Sequence, residues 1–132
     1  MKKDVINSFY AKLRDANPEP KGELNYVNAY TLLVAVVLSA QATDVGVNKA
    51  TRALFKIADT PEKMVELGEA KLKDHIKTIG LYNAKARNII KLSQMLIDEY
   101  SSALPRDRET LEKLPGVGRK TAKVVLNIAF GE

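Results

Sequence analysis

The sequence predicts an all-α protein of about seven helices, and two observations support that prediction. Apolar residues recur at spacings of three and four in nearly every segment, which is the period of an amphipathic helix. No segment sustains the period-two alternation of β-branched and aromatic residues that is typical of a strand. The chain has 132 residues, of which 45% are hydrophobic, enough for the core of a single compact domain.

The first two helices are predicted from an apolar stripe and an apolar run. The stripe consists of Val5, Ile6, Phe9 and Leu13. Pro18 and Pro20 follow it and cannot continue a helix. A second helix is expected from about Asn28 to Ala40. Its apolar run, Leu32 to Ala42, is too short to span a bilayer and is interrupted by polar residues. We therefore expect a buried helix and no membrane anchor.

Capping residues mark the next helix starts. Thr43 or Asp44 can cap a third helix, and Thr60 followed by Pro61 begins a fourth. The buried face of the third helix is expected to hold Val47, Ala50, Leu54 and Ile57. A short helix ending at Gly80 and a long helix after it are predicted from two further apolar sets, which are Leu72, Ile76 and Ile79, then Ala86, Ile89, Ile90, Ile97 and Tyr100.

The segment from Leu114 to Ala122, which we call the hairpin, predicts a phosphate-binding turn between two helices. Asp107 can cap the short helix upstream, and Pro115 discourages that helix from continuing. Gly116 and Gly118 permit backbone geometries closed to other residues and let main-chain N–H groups approach a ligand closely. An anion is the natural partner of such a turn.

Positive charge coincides with the hairpin. Arg119 and Lys120 fall in the first turn of the following helix, where cations oppose the helix dipole unless an anion is bound in front of it. Residues 1–70 hold nine Lys/Arg and nine Asp/Glu, whereas residues 71–132 hold twelve and seven. The net charge of +5 therefore comes from the second part of the chain, which favours a polyanion as partner.

Composition and spacing exclude several kinds of site. Without cysteine the chain can form no disulfide, thiolate metal site or iron-sulfur cluster. His75 has no second ligand nearby, so we assign it no metal or acid–base role and expect it on a helix surface. No zinc spacing, nucleotide-binding glycine loop or Ser/His/Asp set is present. The N-terminus lacks a signal-like apolar core, so a cytoplasmic setting is expected.

Three blocks resemble the endonuclease III family of DNA repair glycosylases, and they occur in the family's order. They are LLVAVVLSAQATD at 32–44, IKTIGLYNAKA at 76–86 and LPGVGRKTA at 114–122. The resemblance implies a helical domain of the six-helix barrel type that ends in a helix-hairpin-helix at about 107–130. It also implies a bifunctional, bacterial, nucleoid-associated enzyme that removes oxidised pyrimidines from double-stranded DNA and cleaves the abasic site by β-elimination.

The resemblance assigns roles to three residues. Lys120 matches the nucleophile that attacks the anomeric carbon and forms a Schiff base, the alternative being a plain phosphate contact. Extrusion of the damaged nucleotide leaves a gap in the duplex. By similarity, Gln41 would contact the estranged base and Leu81 would enter the gap as an apolar wedge. The alternatives are local carbonyl contacts for Gln41 and a core contact for Leu81.

The remaining predicted contacts position the protein on DNA without specifying sequence. N–H groups would be presented to a phosphate by the hairpin residues Gly116, Val117 and Gly118. Lys123, one turn after Arg119, could add a backbone contact or lie on a solvated face. Asp44 could touch the flipped nucleotide or cap its helix.

The chain departs from the family after its last predicted helix. Family members continue into a segment with an essential aspartate and then into four cysteines that hold an iron-sulfur cluster, whereas this sequence ends at Glu132. We therefore expect no cofactor here, impaired catalysis, and two regions. Residues 1–20 would normally pack on the missing segment and could self-associate when uncovered, and residues 21–132 form the helical domain. The alternative is a non-catalytic helix-hairpin-helix module that binds DNA.

Overall fold

The computed structural model describes residues 24–40 and 42–131, which form seven helices joined by short turns. The helices are α1 (Ala29–Ser39), α2 (Asp44–Ile57), α3 (Pro61–Leu67), α4 (Glu69–Ile76), α5 (Tyr82–Tyr100), α6 (Arg108–Leu111) and α7 (Arg119–Phe130). These residues contain no strand, so the all-α prediction is confirmed. The predicted N-terminal helix and its self-association, like Gln41, fall outside the described residues.

The central helix of the fold is α1. Every residue from Tyr30 to Leu38 is buried, as the apolar run predicts, and α1 packs against α2, α5 and α7. A capping box fixes its start: the Asn28 side chain accepts from the Thr31 N–H at 2.8 Å, and Thr31 Oγ1 accepts from the Asn28 N–H at 2.9 Å. In the part of the chain that the structure describes, no helix is long and apolar enough to cross a membrane.

Threonine hydroxyls cap both α2 and α3. Thr43 Oγ1 accepts from the Gly46 N–H at 3.0 Å, so Thr43 is the cap of α2 and Asp44 is its first helical residue. Thr60 caps α3, with Pro61 at the first helical position as predicted. The prediction that Ile57 is buried is wrong. Ile57 is 50% exposed, because α2 ends there and the next residue, Ala58, occupies the buried position.

The other half of the core comes from α5. Ala86 and Ile89 are fully buried as predicted, while the stripe expected at Ile90, Ile97 and Tyr100 is only partly buried. The buried face continues instead through Leu92, Ser93 and Leu96. The Tyr30 and Ser93 hydroxyls form a 2.5 Å hydrogen bond that ties α5 to α1, and burial raises the pKa of Tyr30. The predicted short helix ends at Ile76, and Ile79 is buried in the turn after it.

Candidate nucleic-acid interface

The short helix α6 holds the hairpin in place. Its cap is Asp107, whose carboxylate accepts hydrogen bonds from the Thr110 N–H at 2.9 Å and from the Thr110 hydroxyl at 2.7 Å. Both hydrogen bonds lower the pKa of Asp107, and the bond from the Thr110 hydroxyl has the larger effect. Leu111 and Leu114 are buried beneath α6 and the turn after it, which anchors the start of the hairpin in the core.

Gly116 is required by both its conformation and its surroundings. Its φ of +81° lies in the left-handed region that favours glycine. A Cβ on Gly116 would stand 3.0 Å from Asn88 Cβ and 3.2 Å from Asn88 Nδ2 on α5. Gly118 differs, because it has an extended backbone, with φ of −94° and ψ of −176°, and no atom of the described residues lies within 4 Å of a Cβ placed there. The described part of the chain therefore leaves this side of the hairpin open.

One main-chain amide of the hairpin donates a hydrogen bond within the turn, whereas those that follow it have no acceptor among the described residues. The Val117 N–H donates to the Leu114 carbonyl at 3.1 Å, and the Val117 side chain is only 5% exposed. Val117 therefore closes the turn and fills the core, so its N–H is already engaged within the hairpin, whereas the prediction has it presented to a phosphate. Gly118, Arg119 and Lys120 begin α7, and within the described ranges their N–H groups have no acceptor. Unpaired amides at a helix N-terminus are ready donors to an anion.

Three cationic residues lie on the same part of α7 as these amides. Arg119, Lys120 and Lys123 are all exposed, and none of them forms a salt bridge with another described residue. The first turn of α7 contains no acidic side chain. Lys123 lies one turn after Arg119 on the same helix. The edge formed by the hairpin and α7 is therefore cationic, and no carboxylate among the described residues pairs with these three side chains.

A pocket of about 370 Å³ opens beside Lys120. Its walls include Lys120, Thr121 and Val124 from α7, together with Val36 and Ala40 from α1 and its end. This volume falls in the range of sites that hold small molecules or fragments of larger ligands. Lys120 therefore belongs both to the cationic start of α7 and to the wall of a cavity.

Leu81 lies immediately before α5 in an unusual state for a leucine. Its side chain is 65% exposed, and its backbone is left-handed, with φ of 60° and ψ of 31°. The exposure excludes the alternative of a core contact. A left-handed conformation costs a residue with a Cβ about 1–2 kcal/mol, so an exposed apolar side chain is held in a strained turn.

Lys85, one turn into α5, is a site residue that the sequence-based reasoning missed. It is 7% exposed, and its Nζ donates to the Leu38 carbonyl at 3.0 Å and to the Ala40 carbonyl at 2.6 Å. Burial lowers the pKa of Lys85. The available signal was a lysine adjacent to Ala86, on the face of α5 that the apolar pattern assigns to the core.

The other predicted residues are placed as follows. Asp44 is half-buried in the first turn of α2, close in sequence to the end of α1. His75 is partly buried on α4, and no group of three potential metal ligands occurs among the described residues. The chain does not fit the family's iron-sulfur cluster, since it contains no cysteine to ligate iron.

Comparison with known proteins agrees with this arrangement. A family model described as "HhH-GPD superfamily base excision DNA repair protein" matches residues 34–129. Endonuclease III of Rickettsia conorii is 56% identical over 131 residues, which are 99% of this chain and 62% of the relative. Endonuclease III of Escherichia coli K12 is 58% identical over 120 residues, which are 91% of this chain and 57% of the relative. The chain thus spans about three-fifths of these relatives.

Among solved structures, a trapped endonuclease III–DNA covalent intermediate with an estranged adenine is similar to the chain, with a TM-score of 0.81. The sequence identity is 54%, and the match covers 86% of this chain and 54% of that one. The arrangement of helices described above is therefore one that also occurs in a protein captured on DNA.

Proposed function

Since the chain belongs to the HhH-GPD superfamily of base excision DNA repair proteins, we propose that it supplies the DNA-binding and amine-bearing part of an endonuclease III-type glycosylase with abasic-site lyase activity. The substrate is double-stranded DNA that holds an oxidised pyrimidine or an abasic site. The setting is the bacterial cytoplasm, where the chromosome lies, because the relatives are bacterial.

One juxtaposition carries this proposal: the exposed Lys120 lies in the first turn of α7, whose first amides have no acceptor among the described residues, and it also lines a pocket of about 370 Å³. A DNA phosphate bound by the amides of Gly118 and Arg119 would place the adjoining sugar near Lys120. Arg119 and Lys123 add charge contacts to the sugar–phosphate backbone. Such contacts hold the protein on DNA without reading its sequence.

The chemistry follows from an extruded nucleotide. Lys120 Nζ, unprotonated, forms a bond to the anomeric carbon C1′ while the bond from C1′ to the base breaks, and the electron pair leaves with the base. The C1′–O4′ bond then breaks, O4′ takes up the proton that the amine loses, and a Schiff base between Lys120 and C1′ remains. Water takes a proton from C2′, the C3′–O3′ bond breaks and its electron pair leaves with the 3′-phosphate. Hydrolysis of the Schiff base releases the lysine.

The wedge and its neighbours support extrusion in this proposal. Leu81 fills the gap that the nucleotide leaves, for which its exposure and fixed turn are suited. Gln41 contacts the estranged base by family resemblance. Asp44 contacts the flipped nucleotide, and its side chain is available for this because Thr43 provides the helix cap.

Duplex binding measured over a salt series tests the proposal. Affinity should fall as salt rises, and Arg119→Ala and Lys123→Ala should each lower the slope of log affinity against log salt by roughly one. Lys63→Ala is the control, since Lys63 on α3 is paired with Asp59, which precedes that helix, at 3.4 Å, and its loss should leave the slope unchanged. Salt-independent binding, or equal effects of all three substitutions, would overturn the nucleic-acid assignment.

A further inference from the structure

The first two turns of α5 contact or adjoin three separate segments of the proposed interface. Leu81 immediately precedes the helix and is exposed. Lys85 bonds the carbonyls of Leu38 and Ala40 at the end of α1. Asn88, less than one turn further along α5, lies against Gly116 of the hairpin. One short stretch of helix therefore joins the wedge, the turn after α1 and the hairpin.

We propose that Lys85 is a positioning residue for DNA engagement, which holds the turn after α1 in register with Leu81 so that both segments enter one duplex together. The inference rests on the proposed function, since it requires that these segments meet DNA. No part of it assigns Lys85 a contact with the substrate.

The bonds of Lys85 are of the kind that fixes a position. The last carbonyls of a helix lack partners within it, and a lysine at that end also complements the negative end of the helix dipole. Lys85 meets both conditions, because its amine donates to the Leu38 carbonyl in the last turn of α1 and to the Ala40 carbonyl just beyond it. The two bonds hold the Leu38 and Ala40 carbonyls at fixed distances from α5.

Packing alone does not account for a lysine at this place. Its neighbour Ala86 is fully buried, and an unbranched apolar side chain would fill the space without the cost of desolvating an amine. The turn also has local closure of its own, since the Ala42 N–H donates to the Ser39 carbonyl at 3.0 Å and Ser39 Oγ donates to the Val36 carbonyl at 2.7 Å. Lys85 therefore adds the placement of the turn relative to α5.

This placement reaches the Lys120 pocket as well. Ala40, whose carbonyl Lys85 holds, is one of the residues that line the pocket beside Lys120. Arg119 and Lys123, which form no salt bridge with another described residue, belong to α7, and their charge does not depend on Lys85. Loss of Lys85 should therefore spare non-specific attraction to DNA while it weakens recognition of a damaged site.

The test compares the full 132-residue chain with Lys85→Met, which keeps length and removes the donors. Lys91→Met, at an exposed position on the same helix, is the matched control. Two duplexes are used, one undamaged and one with a tetrahydrofuran abasic analogue opposite 2-aminopurine, whose fluorescence rises when it is unstacked. Hydrogen exchange at the Ala42 amide follows the turn without DNA.

We expect Lys85→Met to bind undamaged duplex within about twofold of the wild type and to lose roughly tenfold in preference for the abasic analogue, the size expected for hydrogen bonds to a charged group. With Lys85→Met, the 2-aminopurine fluorescence of the abasic-analogue duplex should be lower than with the wild type, and the Ala42 amide should exchange its hydrogen faster. Lys91→Met should match the wild type in all three. If Lys85→Met does not unfold cooperatively, Lys85→Gln and Lys85→Ala are compared by the same three measurements. Lys85→Gln retains a hydrogen-bond donor and should lose less than Lys85→Ala.

Three outcomes count against the inference in different ways. Unchanged exchange at Ala42 in a folded Lys85 variant would show that the amine does not hold the turn. Faster exchange with unchanged preference and unchanged 2-aminopurine signal would reduce Lys85 to a purely structural role. A wild-type chain that neither prefers the abasic analogue nor raises the signal would overturn the proposed function itself, and the DNA role of Lys85 with it.

Discussion

Asn88 of α5 lies so close to Gly116 of the hairpin that a Cβ on Gly116 would stand 3.0 Å from Asn88 Cβ. The contact is possible only because position 116 has no side chain and because its φ of +81° turns the chain there. The hairpin and the first turns of α5 are thus docked as one unit. The orientation of the amides that we propose to bind phosphate depends on that docking.

The two glycines of the hairpin should respond differently to alanine. Gly116→Ala introduces both backbone strain and a clash with Asn88, so we expect a loss of about 2 kcal/mol or more in the free energy of unfolding. Gly118→Ala has open space and an extended backbone, and it should leave that free energy nearly unchanged while weakening duplex binding. Chemical denaturation and fluorescence anisotropy measure the two quantities. Equal stability of both variants would contradict the assigned roles.

Leu81→Gly should separate stability from function. Removal of a left-handed leucine relieves strain, so the variant should be as stable as the wild type or more stable by up to about 1 kcal/mol. It should nevertheless lose preference for abasic-analogue duplex, because the exposed apolar side chain is gone. Ile57→Ala, which also removes an exposed apolar side chain, should keep that preference. A preference that survives in Leu81→Gly would argue against a wedge at this position.

The cap of α6 should weaken in acid. Hydrogen bonds from Thr110 hold the pKa of Asp107 below its ordinary value of 3.8, so the folded state favours the carboxylate. That stabilisation is fully present above pH 3.8 and is lost as the pH falls through the lowered pKa of the folded state. Asp107→Asn keeps an acceptor without the charge. The unfolding free energy of Asp107→Asn should differ from that of the wild type above pH 3.8, and the difference should shrink as the pH falls through the lowered pKa of Asp107. Denaturation at a series of pH values measures this, and a difference that does not change with pH would contradict the prediction.

Helix starts could be predicted from the sequence because their signals are local. Thr60 before Pro61 and Asp107 before Thr110 form their caps within three residues, and the structure has both helices where those signals place them. Burial at helix ends is less local. Ile57 belongs by spacing to the apolar face of α2, yet it is exposed, because the chain leaves the helix there.

The features of the interface that escaped prediction depend on contacts distant in sequence or on the path of a turn. Lys85 reaches carbonyls more than forty residues earlier, so its role follows from the way α5 crosses the end of α1. For Leu81 the resemblance predicted a wedge, but its residue type alone left a core contact open and did not reveal its left-handed backbone. Val117 illustrates the same limit, since the pattern of glycines does not reveal that its amide closes the turn to Leu114.

The central claim is that the Lys120 amine reacts with an abasic site held by the hairpin, and borohydride trapping tests it most directly. Borohydride reduces a Schiff base to a stable secondary amine and so leaves a covalent protein–DNA complex. We predict that the chain is trapped on abasic-site duplex, that Lys120→Ala binds but is not trapped, and that Lys123→Ala is trapped like the wild type. Trapping of Lys120→Ala at the wild-type level, or no trapping of a wild-type chain that binds the duplex, would contradict the account.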